Sequence, residues 1–333
     1  MDPLTHTATG LFLSRAGLNR WTPLATPILL LAANAPDIDI VTLAGGPLNY
    51  LHYHRHLTHA LAAVPVMALL PVLLVRALAR KPVRWLGAWL ASAVAVLVHL
   101  LLDLTNVYGI RLWLPFSAQW LQGDLTAIVD LWIWAIFLLA LAGPFIARLV
   151  GSEIASGAAR ERHHGRGFAI FALLFLLLYT GVRIALHSRA VAVLDARVYQ
   201  EEAPLRVAAF PDPANPWRWR GLVETRGFFA AEDVSLPATD FDPTRASIFH
   251  KPEADRALDE ARRSHAFQEF LRFAQFPYWR VSPVPDPEGG KLVQVMDLRF
   301  GTPRAPAFLV SAVLSARLQV VDTNFQWGAV RPR

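Results

Sequence analysis

The sequence predicts an α-helical polytopic membrane domain, with four spans plus an N-terminal helical hairpin, followed by a smaller α+β extracytoplasmic domain. Three observations predict it. Of 333 residues, 54% are hydrophobic and only 17% charged, with a mean hydropathy of +0.34, whereas an ordinary soluble domain is nearer a quarter charged. The apolar residues are gathered into blocks before residue 188. Beyond it the pattern changes to short alternating runs between proline-rich turns.

Four blocks predict the spans: Ala60–Val75, Trp85–Leu102, Leu131–Ala147 and Gly167–Val182. Each is slightly shorter than the roughly 20 residues that cross about 30 Å of hydrocarbon, and flanking aromatic and short polar residues make up the difference. Upstream, Thr7–Leu18 and Leu24–Ala33 are too short to cross alone. With Asn19–Pro23 as the turn they predict a hairpin dipping into the bilayer. Residues 1–22 contain Asp2, His6, Arg15 and Arg20 and do not read as an ordinary signal peptide.

Orientation is read from the loops. Segment Arg76–Arg84 holds four basic residues and no acid, and Arg148–Arg166 holds four basic residues against Glu153 and Glu161; the loop between them, Leu104–Leu125, has Arg111 and Asp124. The positive-inside rule puts the two basic loops in the cytoplasm. The last span then delivers residues 188–333 to the far side. Within that region Leu292–Leu298 and Ala307–Val321 favour strands, and Pro252–Ala274 predicts one helix. Trp217–Arg220 alternates Trp and Arg, which on a strand suggests an exposed sheet face. The division is therefore residues 1–187, a membrane-embedded domain, and 188–333, a soluble α+β domain.

The net charge of +6 does not signal a nucleic-acid partner. Residues 1–187 carry 13 Lys and Arg against 8 acids, and residues 188–333 carry 19 against 18, so the soluble half has no basic stripe to neutralise phosphates. With no cysteine, thiolate ligands, disulfides and a Cys nucleophile are excluded, and any metal must sit on His and carboxylates.

The chemistry is concentrated at one face. The predicted topology places Asp2, Asp37, Asp39, Asp103, Asp124 and Asp130 near the outer side, together with His6, His52, His54, His56, His59 and His99; His163 and His164 are on the inner side. Ionisable groups at membrane depth are costly and by default functional. His99 and Asp103 are four apart in a helical block, so they share a face and can chelate one ion. The alternative is a hydrogen-bonded core histidine beside a loop cap. Pro36-Asp37-Ile38-Asp39 presents two carboxylates beside a helix end, where solvated acids are the plain alternative. His52–His59 holds four histidines in eight residues, a density that suits a borderline metal such as zinc. Asp130 opens a span and suggests a helix cap more than a ligand. Arg55 lies inside the His cluster, where it would clamp a phosphate or pair with a nearby Asp.

Met1-Asp-Pro-Leu-Thr-His6 with Gly10, Pro36-Asp37-Ile38-Asp39, His54-Arg55 with Thr58-His59, His99 and Asp103 with Tyr108-Gly109, and Asp130 stand in an order that resembles a known family. It is that of the YdjM-like inner-membrane metal-dependent hydrolases of bacteria, also described as LexA-binding, inner membrane-associated hydrolases. The resemblance covers about residues 1–190; His56 and Ala60 depart from it, where Gly and Ser are usual. It implies membership of a helical group related to zinc-dependent phospholipase C, using a multinuclear zinc site on phosphodiesters. It implies His6, Asp37, His54, His59, His99 and Asp103 as metal ligands, with Asp39 and Asp130 secondary.

The expectation is a metal-dependent hydrolase of the bacterial inner membrane, using one to three zinc ions, or manganese, with Asp39 and Arg55 as catalytic groups. Membrane lipids and a small-molecule or lipid phosphoester are the expected partners, and no nucleic acid. The alternative is a non-enzymatic metal- or pH-responsive sensor or scaffold. Transport ranks third, because the inner halves of the spans hold no acid.

Overall fold

The computed structural model describes residues 1–154, 164–237 and 241–328. The chain forms two compact units. The first comprises residues 1–39, 55–188 and 211–217, and the second residues 40–54, 189–210 and 218 onward.

In the first unit, α1 (Pro3–Ala16) begins where Asp2 accepts hydrogen bonds from the Leu4 and Thr5 amides at 3.1 and 3.0 Å. Pro3 occupies a first-turn position that needs no donor. α2 (Ala25–Ala32) packs against α1, so the predicted hairpin forms. The two backbones nearly touch: a Cβ at Gly10 would lie 2.6 Å from the Leu29 carbonyl oxygen. A 3-10 segment starts at Pro36.

The four predicted spans are helical: α4 (Val64–Ala79), α5 (Trp85–Thr105), α6 (Leu131–Ile154) and α7 (His164–Asp195). Among the described residues, four helical stretches, Leu61–Ala79, Trp85–Thr105, Leu131–Leu149 and Gly165–Asp195, are long and apolar enough to cross a bilayer, and the bent pair Ala25–Ala32 and Pro36–Gly45 is a broken or re-entrant candidate. The four stretches exceed the apolar blocks because polar flanks without a helix breaker stay helical. α5, at 21 residues, is about 31 Å long at 1.5 Å per residue. α7 runs past Val182 through the expected division at residue 187. The first basic loop, Arg76–Arg84, joins α4 to α5; the second, Arg148–Arg166, lies largely outside the described residues.

Alanines let these helices approach closely. Ala25, Ala32, Ala68, Ala91 and Ala95 are buried with Leu29, Val96 and Leu100 in one cluster of α2, α4 and α5. Phe12, Leu102, Ile133, Phe137, Ala140, Ala169 and Ala172 form a second cluster joining α1, α5, α6 and α7. Outward-facing leucines such as Leu78, Leu86, Leu139 and Leu177 are exposed, which suits a lipid solvent and not water.

The second unit has two four-stranded sheets. One runs β1 (Arg206–Pro211), β2 (Arg218–Glu224), β3 (Phe228–Ser235), β4 (Ser247–His250); the other runs β5 (Pro277–Val284), β6 (Gly290–Asp297), β7 (Phe308–Leu314), β8 (Val320–Trp327). Strands β5 to β8 pair antiparallel with sequence neighbours, with Val293 facing Ala312 and Ala312 facing Thr323. The run Ala307–Val321 thus yields one strand and the start of a second, turned by Leu318 at φ 61°.

Two further expectations change. Pro252–Ala274 is two helices, α8 (Arg256–Arg263) and α9 (His265–Phe273), because Ser264 between them is extended (φ −70°, ψ 147°) and its hydroxyl bonds the Ala261 carbonyl. Trp217–Arg220 is not a uniformly exposed face: Trp219 is fully buried, while Arg218 pairs with Asp233 and Arg220 bonds the carbonyls of Arg299 and Gly301. The short helix α3 (Pro47–Tyr53) also belongs to this unit and packs on α9.

Candidate metal centre

The chain's direction through the helices gathers its ionisable groups at one end. His6 lies in the first turns of α1, Asp37 just after α2, His59 just before α4, and His99 and Asp103 in the last turns of α5. Arg76, Arg80, Lys81 and Arg84 lie at the opposite ends of α4 and α5.

Asp37, His59, His99 and Asp103 each offer a ligand atom, and the four atoms lie within 4.8 Å of one another. His59 Nε2 is 3.2 Å from His99 Nε2, 3.4 Å from Asp37 Oδ1 and 3.4 Å from Asp103 Oδ2. His99 Nε2 is 3.5 Å from Asp103 Oδ2 and 3.7 Å from Asp37 Oδ1. His59, His99 and Asp103 are buried, whereas the Asp37 side chain retains 23% of its exposure.

Hydrogen bonds behind the imidazoles fix which nitrogen faces the cluster. His99 Nδ1 is 2.8 Å from the Ala33 carbonyl oxygen, which can only accept, so Nδ1 carries the proton and Nε2 presents a lone pair in the neutral ring. His59 Nδ1 faces Asp39 Oδ2 at 3.4 Å and Thr58 Oγ1 at 3.1 Å, which turns its Nε2 to the cluster in the same way. A carboxylate or carbonyl behind a ligating imidazole is the usual outer-shell arrangement of a metal site. Two nitrogen lone pairs and two carboxylate oxygens then converge in a buried space, a set that repels itself unless a cation lies between.

His6 adjoins the group. Its ring stacks on His99 with centroids 3.8 Å apart, and its Nε2 is 3.3 Å from Asp103 Oδ1. Neither ring nitrogen has a hydrogen-bond partner among the described residues. The Met1 amino group also contacts Asp103 Oδ1. Asp103 Oδ2, one of the four converging atoms, likewise has no hydrogen-bond donor among the described residues, and an N and O donor set suits zinc or manganese.

The other predicted site residues are placed differently. His54 is not one of the four converging groups; it caps α3 and stacks on Tyr50 with centroids 4.4 Å apart. Arg55 has a left-handed backbone (φ 55°). His52 goes with His54, its Nδ1 2.5 Å from Glu269 Oε2. Of the four-histidine run, His59 is the member in the converging group. Asp39 stands behind His59, and the Arg55 guanidinium stands behind Asp103, with Nη2 3.0 Å from Oδ1. Asp130 caps α6, accepting from the Trp132 and Ile133 amides at 3.1 and 3.3 Å and from the Tyr179 hydroxyl.

The Ala33 carbonyl and Asn106 were not foreseen. A carbonyl leaves no trace in a sequence, but Asn106, three residues after Asp103, had the spacing of a partner on the same helical face.

Fold and cluster together define a polytopic membrane protein with a His/Asp site shaped for a cation. The sequence pattern of the YdjM inner membrane protein family matches residues 1–190, and the chain belongs to that family. The YfhP C-terminal alpha/beta plait domain matches residues 256–330. The Bacillus subtilis (strain 168) protein YfhP is 26% identical over 315 residues, covering 90% of this chain and 87% of that protein. No solved structure matches the chain.

Proposed function

We propose that this protein is a membrane-bound metal-dependent hydrolase acting on phosphoesters or phospholipid headgroups. The observation that carries the reading is the convergence of His59 Nε2, His99 Nε2, Asp37 and Asp103 within 4.8 Å, each imidazole turned by a protein acceptor behind it. Those four groups, joined by His6, would hold the metal. A bound divalent ion supplies Lewis acidity, activating water near neutral pH and neutralising charge on a phosphoryl oxygen. The chain's own residues orient the ligands, exclude bulk water from three of them and leave Asp37 as the accessible edge. We place the protein as a multi-pass protein of the bacterial inner membrane, with the C-terminal domain outside the cytoplasm. The basic loop at 76–84, opposite the cluster, supports that orientation.

The site's depth supports an amphiphilic substrate. His99 is six residues, about 9 Å, from the end of α5, which is headgroup depth for a helix that spans. Near neutrality of residues 188–333 speaks against a nucleic-acid partner.

Burial of three of the four groups favours a second reading, a metal held for structure or sensing without turnover. Elemental analysis of detergent-purified wild type beside a His59→Ala/His99→Ala double mutant tests the site. One to three equivalents of zinc or manganese, lost in the mutant, are expected. Hydrolysis of phosphodiesters and lipid headgroups by the loaded wild type then separates enzyme from sensor. No metal after reconstitution with zinc would sink both readings.

A further inference from the structure

Arg55 has one of the few left-handed backbones outside glycine (φ 55°), a conformation that costs energy and persists where the surroundings over-determine it. Its backbone N–H donates to Asp39 Oδ2 at 2.8 Å, the same oxygen that faces His59 Nδ1 and accepts from Thr58. Its guanidinium turns the other way, on a side chain that is 5% exposed. Nη2 donates to Asp103 Oδ1 at 3.0 Å, and Nη1 donates to Asn106 Oδ1 and the Gly109 carbonyl, both at 3.1 Å. The plane lies over the Tyr108 ring, 4.8 Å from its centroid. Asn106 in turn accepts from the Tyr108 and Gly109 amides, so the fork is held in a preformed cradle.

The two oxygens of Asp103 are thereby divided. Oδ1 faces Arg55, His6 and the Met1 amino group, while Oδ2 is left to the His59 and His99 nitrogens. One residue thus fixes a carboxylate through its side chain and, through Asp39, an imidazole through its backbone.

We propose that Arg55 is a positioning residue that sets the geometry of the metal site by fixing Asp103 Oδ1 and Asp39, and that it is not a clamp for the substrate phosphate. This rests on the metal-site reading above. With Nη1 and Nη2 bonded to Asp103, Asn106 and Gly109 and its plane on the Tyr108 face, the guanidinium is held by the protein. Its positive charge opposes a neighbouring cation, so what it contributes to metal binding is orientation, and replacement by lysine separates the two effects. Lysine keeps the charge but has neither the planar fork nor the stacking surface.

The test uses full-length protein in detergent and zinc as the probe, with affinity measured by chelator competition. Arg55→Lys is expected to weaken zinc binding by about 10–100-fold, the range for loss of an outer-shell partner. It is also expected to alter the visible bands of the cobalt(II)-loaded protein, which report ligand geometry and are not moved by a general loss of stability. Tyr108→Leu removes the platform under the guanidinium without touching a ligand, and is expected to shift both readouts the same way by a smaller amount. It carries the test if the lysine variant does not fold. Wild-type zinc affinity and cobalt spectrum in whichever variants fold, with weakened binding of inorganic phosphate, would overturn the proposal and restore the phosphate clamp. Absence of zinc binding in the wild type would instead overturn the metal-site reading itself.

Discussion

Two polar centres are buried in the helical unit, and they are built on opposite plans. At the head of α6, Asp130 is met by donors: the Trp132 and Ile133 amides and the Tyr179 hydroxyl. Close by, Arg183 of α7 donates to the carbonyls of Leu125 and Pro216. At the other centre, Asp37, His59, His99 and Asp103 present acceptor atoms to one another; behind them stand the Ala33 carbonyl and Asp39, which accept from the imidazoles, and Arg55, which donates to Asp103. A buried carboxylate surrounded by donors is complete without a ligand. A cluster whose acceptor atoms face one another leaves a place where a cation could supply the missing charge. The pair teaches that burial of a charged group is not by itself a sign of function; the direction in which its partners point decides.

The largest expected effect breaks the symmetry between the two centres. His99→Ala and Asp103→Ala should each lower zinc retention by more than the 10–100-fold typical of outer-shell changes, with membrane insertion unchanged. Asp130→Asn should bind zinc as the wild type does. Metal content measured on the three purified variants checks this, and loss of zinc from the Asp130 variant would erase the distinction.

Stability should order the variants the other way. Asp130→Ala removes an N-cap and strands the Tyr179 hydroxyl, a cost of about 2 kcal/mol. Tyr179→Phe removes one hydrogen bond, about 1 kcal/mol. Thermal unfolding in detergent of the metal-free protein reads both. An Asp130→Ala variant as stable as wild type would mean that this centre is not the structural tie its hydrogen bonds describe.

Much of this was legible in the sequence, for a physical reason. Apolar blocks and the i, i+4 spacing of His99 and Asp103 are local patterns, and helices carry them directly into space. Asp37 and His59 joined them because alternate helices bring their ends to one side. His54 shares a run with His59 but is not in the converging group, and nothing in composition distinguishes the two. Ser264 misled too: one extended residue split a helix whose charge pattern reads as continuous. The burial of Trp219 depends on long-range sheet packing, which alternation alone does not reveal.

The smallest expected effect carries the comparison to the water-exposed surface. Asp255 is also met by donors, capping α8 through the Ala257 amide at 2.9 Å and pairing with Lys291 at 2.6 Å, but both side chains are partly exposed. The Lys291 ammonium, and then the Ala257 amide, hold its carboxyl below the usual carboxylate range. An acid whose folded pKa is depressed contributes stability above its unfolded pKa, near 3.9, and loses it as pH falls through the folded value. Asp255→Asn keeps a competent N-cap and removes the charge. It should therefore cost only ~0.5 kcal/mol at pH 7, a difference that stays level down to about pH 5, closes below about pH 4 and shrinks with added salt. Hydrogen exchange of the α8 amides in the full-length protein measures it across that range. A cost as large as that of Asp130→Ala would mean that the solvent around an acid matters less than the number of its donors.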